Sequence, residues 1–321
     1  MRGSNDSRFQ SILVPLDGSE FAERALPTAL SVARRHGAAL HVVRVYIPVA
    51  GVAGEHAVPY DEVLDRELMK QARDYLDGVV ARLEAVAGVR ASAALLDGPV
   101  APVISKHATA VDADLFVMTT QGRGPLARFW LGSVSDELVR QAGVPILFVR
   151  PQTAASDFAR EPTLCRVLIP LDGSALAEQI LEPALRFARA ADVAYTLLQV
   201  IRSTAELSYG PAGGTITGFQ ESLKKLRELE RQESERAQSY LDRLAERLRG
   251  RSFDVKTRVV WNERPATAIL DDASAHCVDL IALATRGRGG LKRFVLGSVA
   301  DKVLRGADSA VLVYRPSDES A

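Results

Sequence analysis

The stretch ILVPLDGSEFAERAL, residues 12–26, decides the fold because it is written twice: VLIPLDGSALAEQIL follows at 167–181. A second block behaves the same way, QGRGPLARFWLGSVSDELVRQAGVPILFVR (121–150) returning as RGRGGLKRFVLGSVADKVLRGADSAVLVYR (286–315). The interval between copies grows from 155 residues at the first block to 165 at the last, so the second copy carries an insertion in its middle. A repeat of this size predicts two domains of one design, 1–150 and 164–321. Between them, 151–163 (PQTAASDFAREPT) is polar, contains two prolines and reads as a linker.

Within a copy, short apolar runs alternate with helical periodicity. ILVPL is the kind of run expected of a strand buried on both faces. Asp17-Gly18-Ser19 turns the chain, with Ser19 as N-cap and Glu20 and Glu23 in the first turn. The helix should run to His36, with a kink at Pro27 and Gly37 closing it. A strand over 40–47, a long amphipathic helix over 61–86, a strand over 91–96 and a helix over 99–111 follow. Strand 114–120, a glycine-rich turn, helix 133–142 and strand 144–150 complete the copy. Each copy is thus expected to be a doubly wound, five-stranded parallel-sheet α/β domain, Rossmann-like in its layering. The inserted stretch 203–218 reads as a mobile loop. The charged segment 220–249 reads as a surface helix with Leu223, Leu226, Leu241, Leu244 and Leu248 toward the sheet; the other reading is a partner-binding or coiled-coil helix.

Composition narrows the function. Of 321 residues, 40 are basic and 40 acidic, which gives no general electrostatic reason for nucleic-acid or anionic-membrane binding. No apolar run approaches the roughly 18 residues of a transmembrane helix. The opening MRGSNDSRFQ has no apolar signal core, the expectation for a cytoplasmic protein. Two cysteines are too few for a disulfide framework, and five scattered histidines suggest no structural metal site.

In open α/β sheets ligands bind beyond the carboxyl ends of the strands, where strand order reverses. Asp17 and Asp172 stand at that end of the first strand of each copy. Gly122-Arg123-Gly124 and Gly287-Arg288-Gly289 stand at that end of the fourth. A carboxylate there accepts ribose hydroxyls, and a glycine turn lets backbone approach a ligand. Gly132-Ser133 and Gly297-Ser298 each open the next helix, whose free amides suit an anion. The structural alternative is that Asp17 and Gly132-Ser133 are helix caps only, and Asp136 and Asp301 in those first turns do not favour phosphate. Arg123, Arg128, Arg288 and Arg293 read as solvated surface as readily as phosphate contacts.

These residues resemble the universal stress protein family, through PLDGS near each start, DLFVMTTQGRG and DLIALATRGRG before each turn, LGSV at 131–134 and 296–299, and the closing VPILFVR and AVLVYR. The resemblance spans nearly the whole chain as a tandem pair. It implies ATP (or AMP or ADP) binding, with Mg²⁺ accompanying the nucleotide. Members that bind ATP carry Gly-x-x-Gly, nine residues, then Gly-Ser or Gly-Thr. Here the second glycine is Gly122 or Gly287, while the first is replaced by Thr119 or Ala284, substitutions that threaten the phosphate path or a left-handed backbone. The resemblance further implies that Asp17 and Asp172 hold ribose and that backbone near Val45 and Val200 meets adenine. Pro15, Val134, Pro170 and Val299 complete the expected lining. Gly98 becomes Glu263 in the second copy, which favours the first as the better nucleotide site. Family dimers pair through the last strand, which implies that 144–150 and 309–315 pair within this chain. A further homodimer remains open.

Three functions compete on this reading: an ATP-binding stress-response regulatory module, a scaffold of the same fold that binds no nucleotide and acts through protein partners, and an enzyme. GxxxxGK[ST] is absent, which excludes a P-loop NTPase. GRGPLA follows the fourth strand rather than the first, against a dehydrogenase. No Ser/His/Asp set has nucleophile spacing, so slow ATP hydrolysis is the most expected of it.

Overall fold

The structure, a computed structural model, describes residues 8–48, 61–85, 89–119, 132–150, 158, 162, 164–187, 192–202, 216–285 and 296–315. The first copy runs β1 (Ser11–Pro15), α1 (Glu20–Glu23), α2 (Leu26–His36), β2 (Ala39–Tyr46), α3 (Glu62–Glu84), β3 (Ala91–Asp97), α4 (Val100–Ala110), β4 (Leu115–Thr119), α5 (Ser133–Gln141) and β5 (Ile146–Val149). The second repeats it as β6 (Arg166–Pro170), α6 (Ala175–Glu178), α7 (Leu181–Leu185), β7 (Ala194–Ile201), α8 (Ile216–Arg249), β8 (Asp254–Trp261), α9 (Pro265–Ala275), β9 (Leu280–Ala284), α10 (Ser298–Gly306) and β10 (Ala310–Tyr314).

All ten strands share one sheet, ordered β3-β2-β1-β4-β5-β10-β9-β6-β7-β8. Within each copy the pairing is parallel. Strand order reverses between β1 and β4, and again between β6 and β9. The copies meet at β5 and β10, which pair antiparallel with Ile146, Leu147 and Phe148 opposite Val313, Leu312 and Val311. The segments expected to pair within the chain do so.

Alternation of side chains sends Ile12 and Val14 to one face of the sheet and Leu13 to the other. The first face packs under α1–α3 and α6–α8, the second under α4, α5, α9 and α10. Burial of each such Val, Leu or Ile is worth about 1.5–3 kcal/mol, and the inner strands β4, β5, β9 and β10 are accordingly almost wholly apolar, while β2, β3, β7 and β8 toward the edges carry polar residues.

Two expectations about helices are corrected. Pro27 does not kink a continuous helix; the chain breaks at Arg24–Ala25 and Pro27 sits in the opening turn of a new one, where its missing N–H costs nothing. Pro183 falls likewise in the short α7. In the second copy α8 begins at Ile216, earlier than its charge pattern suggested, so only 203–215 of the expected loop lies outside the described residues. Leu241, Leu244 and Leu248 of α8 are buried, while Leu229 is 55% exposed. Trp261, the last residue of β8, donates from Nε1 to Ser234 Oγ at 2.9 Å, so the turns of α8 before Ser234 rise past the carboxyl edge of the sheet.

The helical layers also meet across the copies. Phe9 packs edge-on against Phe187 with ring centres 5.0 Å apart. Arg186 lies over the Phe9 ring at 4.5 Å and donates to Asp114 Oδ2 at 2.9 Å and to the Arg8 carbonyl at 3.0 Å. Beside them His36 is buried and accepts at Nδ1 from the Phe9 amide. Burial, then the charges of Arg186, Arg8 and Arg35, lower its pKa to about 4, so the ring is neutral in the folded protein.

Candidate functional site

Each copy bends sharply where β1 or β6 leaves the sheet. Gly18 and Gly173 adopt φ of +83° and +82°, values a side chain resists. The turn that follows is closed by its own side chains. Asp17 Oδ1 accepts from the Ser19 amide at 2.9 Å and from Ser19 Oγ at 2.5 Å, while Ser19 Oγ accepts from the Ala22 amide at 3.2 Å. Asp172, Ser174 and Ala177 repeat this at 3.0, 2.5 and 3.1 Å. Ser19 and Ser174 are therefore the N-caps, and the aspartates hold the caps rather than the helices. Asp17 stays exposed, and its Oδ2 has no hydrogen-bond partner among the described residues.

The neighbouring strand offers backbone to the same crevice. Leu16 N–H donates to the Val43 carbonyl at 2.7 Å as β1 departs. Strand alternation turns the Val45 amide and carbonyl the same way, past the point where β1 has left. Leu171 and Leu198, at 2.8 Å, set Val200 in the same position in the second copy. Pro15 and Pro170 are the half-buried last residues of β1 and β6.

Thr119 and Ala284 end β4 and β9, paired with Val149 and Tyr314. Both are ordinary strand residues, and neither is among the non-glycine residues with positive φ. The threat to a left-handed backbone is thereby removed: this position does not require glycine. Strand alternation directs both side chains to the face covered by α1–α3 and α6–α8, away from α5 and α10. Gly122 and Gly287, with Arg123, Gly124, Arg128, Arg288, Gly289 and Arg293, lie outside the described residues.

The helices that follow carry the third element. Gly132 and Gly297 are the N-caps of α5 and α10, and neither helix receives a side-chain cap. Ser133 and Ser298 are the first helical residues, as expected of residues that open these helices, and are not themselves the caps. Among the described residues no side chain caps the first amides of either helix, and Val134 and Val299 are half-buried beside them. The acids in these first turns have partners: Arg305 binds Asp301 at 2.6–2.8 Å, and Arg140 lies 3.6 Å from Asp136. Their charge bears less on an anion at the helix start than the sequence suggested.

Three features escaped the sequence reading. Arg44, one residue before Val45, lays its guanidinium where a Cβ on Gly18 would stand, at 2.9–3.0 Å, and over the Tyr75 ring at 5.3 Å. Gln199 occupies that place in the second copy, with Oε1 buried and unpartnered. Glu23, read as a dipole partner, is also a buried anchor, and Glu178 is its half-buried counterpart in the second copy. Arg82 donates to Glu23 at 2.7 Å, and Arg247 and Tyr240 reach Glu178 at 3.4 and 3.2 Å. Burial and the neighbouring Glu23 push the Tyr75 phenol upward, and Tyr240 shifts the same way beside Glu178. Finally, Thr285, directly after β9, is 1% exposed and its hydroxyl has no partner among the described residues. Aligning the copies would have exposed Arg44 against Gln199 as a charge change in an otherwise copied strand end.

No helix among the described residues is long and apolar enough to cross a membrane. Residues 8–150 and again 165–315 match the sequence pattern of the Universal stress protein family. A universal stress protein of Thermus aquaticus is 40% identical over 143 residues, 44% of this chain and 99% of its own length. One from Mycobacterium tuberculosis is 30% identical over 321 residues, covering 98% of this chain and 100% of that protein. The crystal structure of a universal stress protein from Archaeoglobus fulgidus superposes with a TM-score of 0.69 at 20% identity, covering 98% of this chain and 100% of that one. With both halves matched and relatives of the full length among the matches, the chain belongs to the universal stress protein family and carries its pattern twice.

Proposed function

We propose that this protein is a nucleotide-binding regulatory module of the stress response, taking ATP or another adenine nucleotide with Mg²⁺ at the carboxyl edge of its sheet. The observation that carries the reading is a convergence at the reversal of strand order. An exposed carboxylate with a spare oxygen (Asp17), strand backbone turned toward the side that β1 has left (Val45) and a helix start with no side-chain cap among the described residues (Gly132-Ser133) all belong to that edge. These are the groups a ribose, a base edge and a polyphosphate need. Mg²⁺ would travel with the phosphates and offset their charge. The spatial order of the elements supports the reading in both copies. Arg44 beside the first turn, against Gln199 and the exposed Glu263 in the second copy, favours tighter binding in the first.

Calorimetric titration of nucleotide-free protein with MgATP tests this. The expected result is uptake that Asp17→Asn weakens about tenfold, the loss of one charged hydrogen bond, while the melting temperature holds because asparagine preserves the oxygen that Ser19 needs. Absence of binding at millimolar nucleotide would leave the second reading, a scaffold of this fold acting through protein partners.

A further inference from the structure

The helices whose starts carry Gly132-Ser133 and Gly297-Ser298 are finished at their other ends from across the seam between the copies. Arg150, directly after β5, donates from its guanidinium to the carbonyl of Arg305 in the last turn of α10. Arg315, directly after β10, donates to the carbonyl of Arg140 in the last turn of α5 at 3.5 Å. This is one contact written twice, because Arg140 and Arg150 recur as Arg305 and Arg315 in the repeated block. Its origin is the antiparallel register. With Phe148 opposite Val311, the end of each strand lies beside the segment arriving from the other copy's helix. A carbonyl in a helix's last turn lacks an intrahelical donor, and a cation there opposes the negative pole of the helix.

In α10 the contact continues to the far end. Arg305 grips both oxygens of Asp301 from Nε at 2.8 Å, and the Asp301 amide donates to the Gly297 carbonyl at 3.0 Å. A chain of contacts thus runs from Arg150 of the first copy to the opening turn of the second copy's helix. The reciprocal chain through Arg315, Arg140 and Asp136 is looser, with 3.5 and 3.6 Å contacts. Arg150 is only partly exposed, its Nε is buried with no partner among the described residues, and its hydrogen bond to the Arg305 carbonyl places the side chain at this seam.

We propose that Arg150 and Arg315 are positioning residues that act in trans, each holding the anion-facing helix of the opposite copy in place. The ligand part of this inference rests on the nucleotide reading above; the clamp itself does not.

Two measurements on the full chain test it, using Arg150→Met and Arg315→Met with Arg150→Lys and Arg315→Lys as conservative controls. In amide hydrogen exchange, Arg150→Met should speed exchange of Leu304, Arg305 and Gly306 and leave Val139, Arg140 and Gln141 unchanged. Arg315→Met should do the reverse with the smaller effect. In MgATP titrations, Asp172→Asn leaves the first copy as reporter and Asp17→Asn the second. Arg150→Met should weaken the second copy's site about two- to fivefold, the range of a helix-pole charge interaction, with the first copy unmoved and lysine restoring part of the loss. Faster exchange in the variant's own copy, or in neither, overturns the clamp. Affinity loss confined to the variant's own copy overturns its positioning role. If the wild type takes up no nucleotide, the nucleotide reading and the positioning role fall together, and the exchange arm decides the clamp alone.

Discussion

At the carboxyl edge the first copy presses Arg44 against Gly18, where the second places Gln199 near Gly173. The loop before α4 carries Gly98 at φ +119° in one copy, and the loop before α9 carries Glu263 in the other. The N-cap glycines also diverge: Gly132 has φ −59° and Gly297 has φ +75°. Beneath this edge the copies keep the same strands, the same Asp-Gly-Ser turn and the same glutamate–arginine pair, Glu23 with Arg82 and Glu178 with Arg247. Duplication preserved the strands and the turn and let the residues around the carboxyl edge diverge.

The largest expected effect lies on a feature only the first copy has. His36 is neutral in the fold with a pKa near 4, against 6.5 as the ordinary value. Since the unfolded chain binds the extra proton, stability is full above pH 6.5 and falls as pH drops toward 4, by roughly 2–3 kcal/mol. Denaturant unfolding across that window should show the slope, and His36→Phe should flatten it. An unchanged slope would place the acid sensitivity elsewhere.

Next in size is nucleotide affinity. On the proposed reading, in which the first copy is the tighter site, Asp17→Asn should reduce MgATP binding more than Asp172→Asn does. Equal losses in calorimetry would erase the asymmetry between the rims.

Substitution at the N-cap glycines separates the copies by stability instead. Gly297→Ala forces a side chain into a left-handed backbone and should cost about 1–2 kcal/mol. Gly132→Ala meets nothing closer than Ser135 Oγ at 3.9 Å and has an ordinary φ, so it should be near neutral. Thermal melts of the two variants measure the difference directly.

The smallest effect sharpens the comparison at its centre. Exchanging Arg44→Gln and Gln199→Arg should shift relative nucleotide affinity toward the second copy by a few-fold at low ionic strength, fading with added salt. A salt-independent change would assign Arg44 to packing over Tyr75 rather than to the field of the site.

Much of this was legible in advance because the signals are local or repeated. Ser19 as cap, Gly37 as a left-handed helix stop at φ +70° and the order of strands all follow from residue chemistry within a few positions. Whether Thr119 and Ala284 needed a left-handed backbone was not legible in the motif: each is a strand end whose pairing with Val149 and Tyr314 sets its conformation. Arg44 over Gly18, Arg82 on Glu23 and Arg150 on the Arg305 carbonyl join residues far apart in the chain, and no spacing rule reaches them.

Taken alone, the amino-acid order determined two α/β units of one design and the end of the sheet where chemistry belongs, because periodicity and turn residues act over short range. The family resemblance implied that 144–150 and 309–315 pair; only the tertiary structure decided the antiparallel register, with Phe148 opposite Val311 in one ten-stranded sheet, and that α5 and α10 each end on an arginine from the other half. Those outcomes depend on which surfaces meet once the chain has closed on itself, and that geometry is set by packing across hundreds of residues.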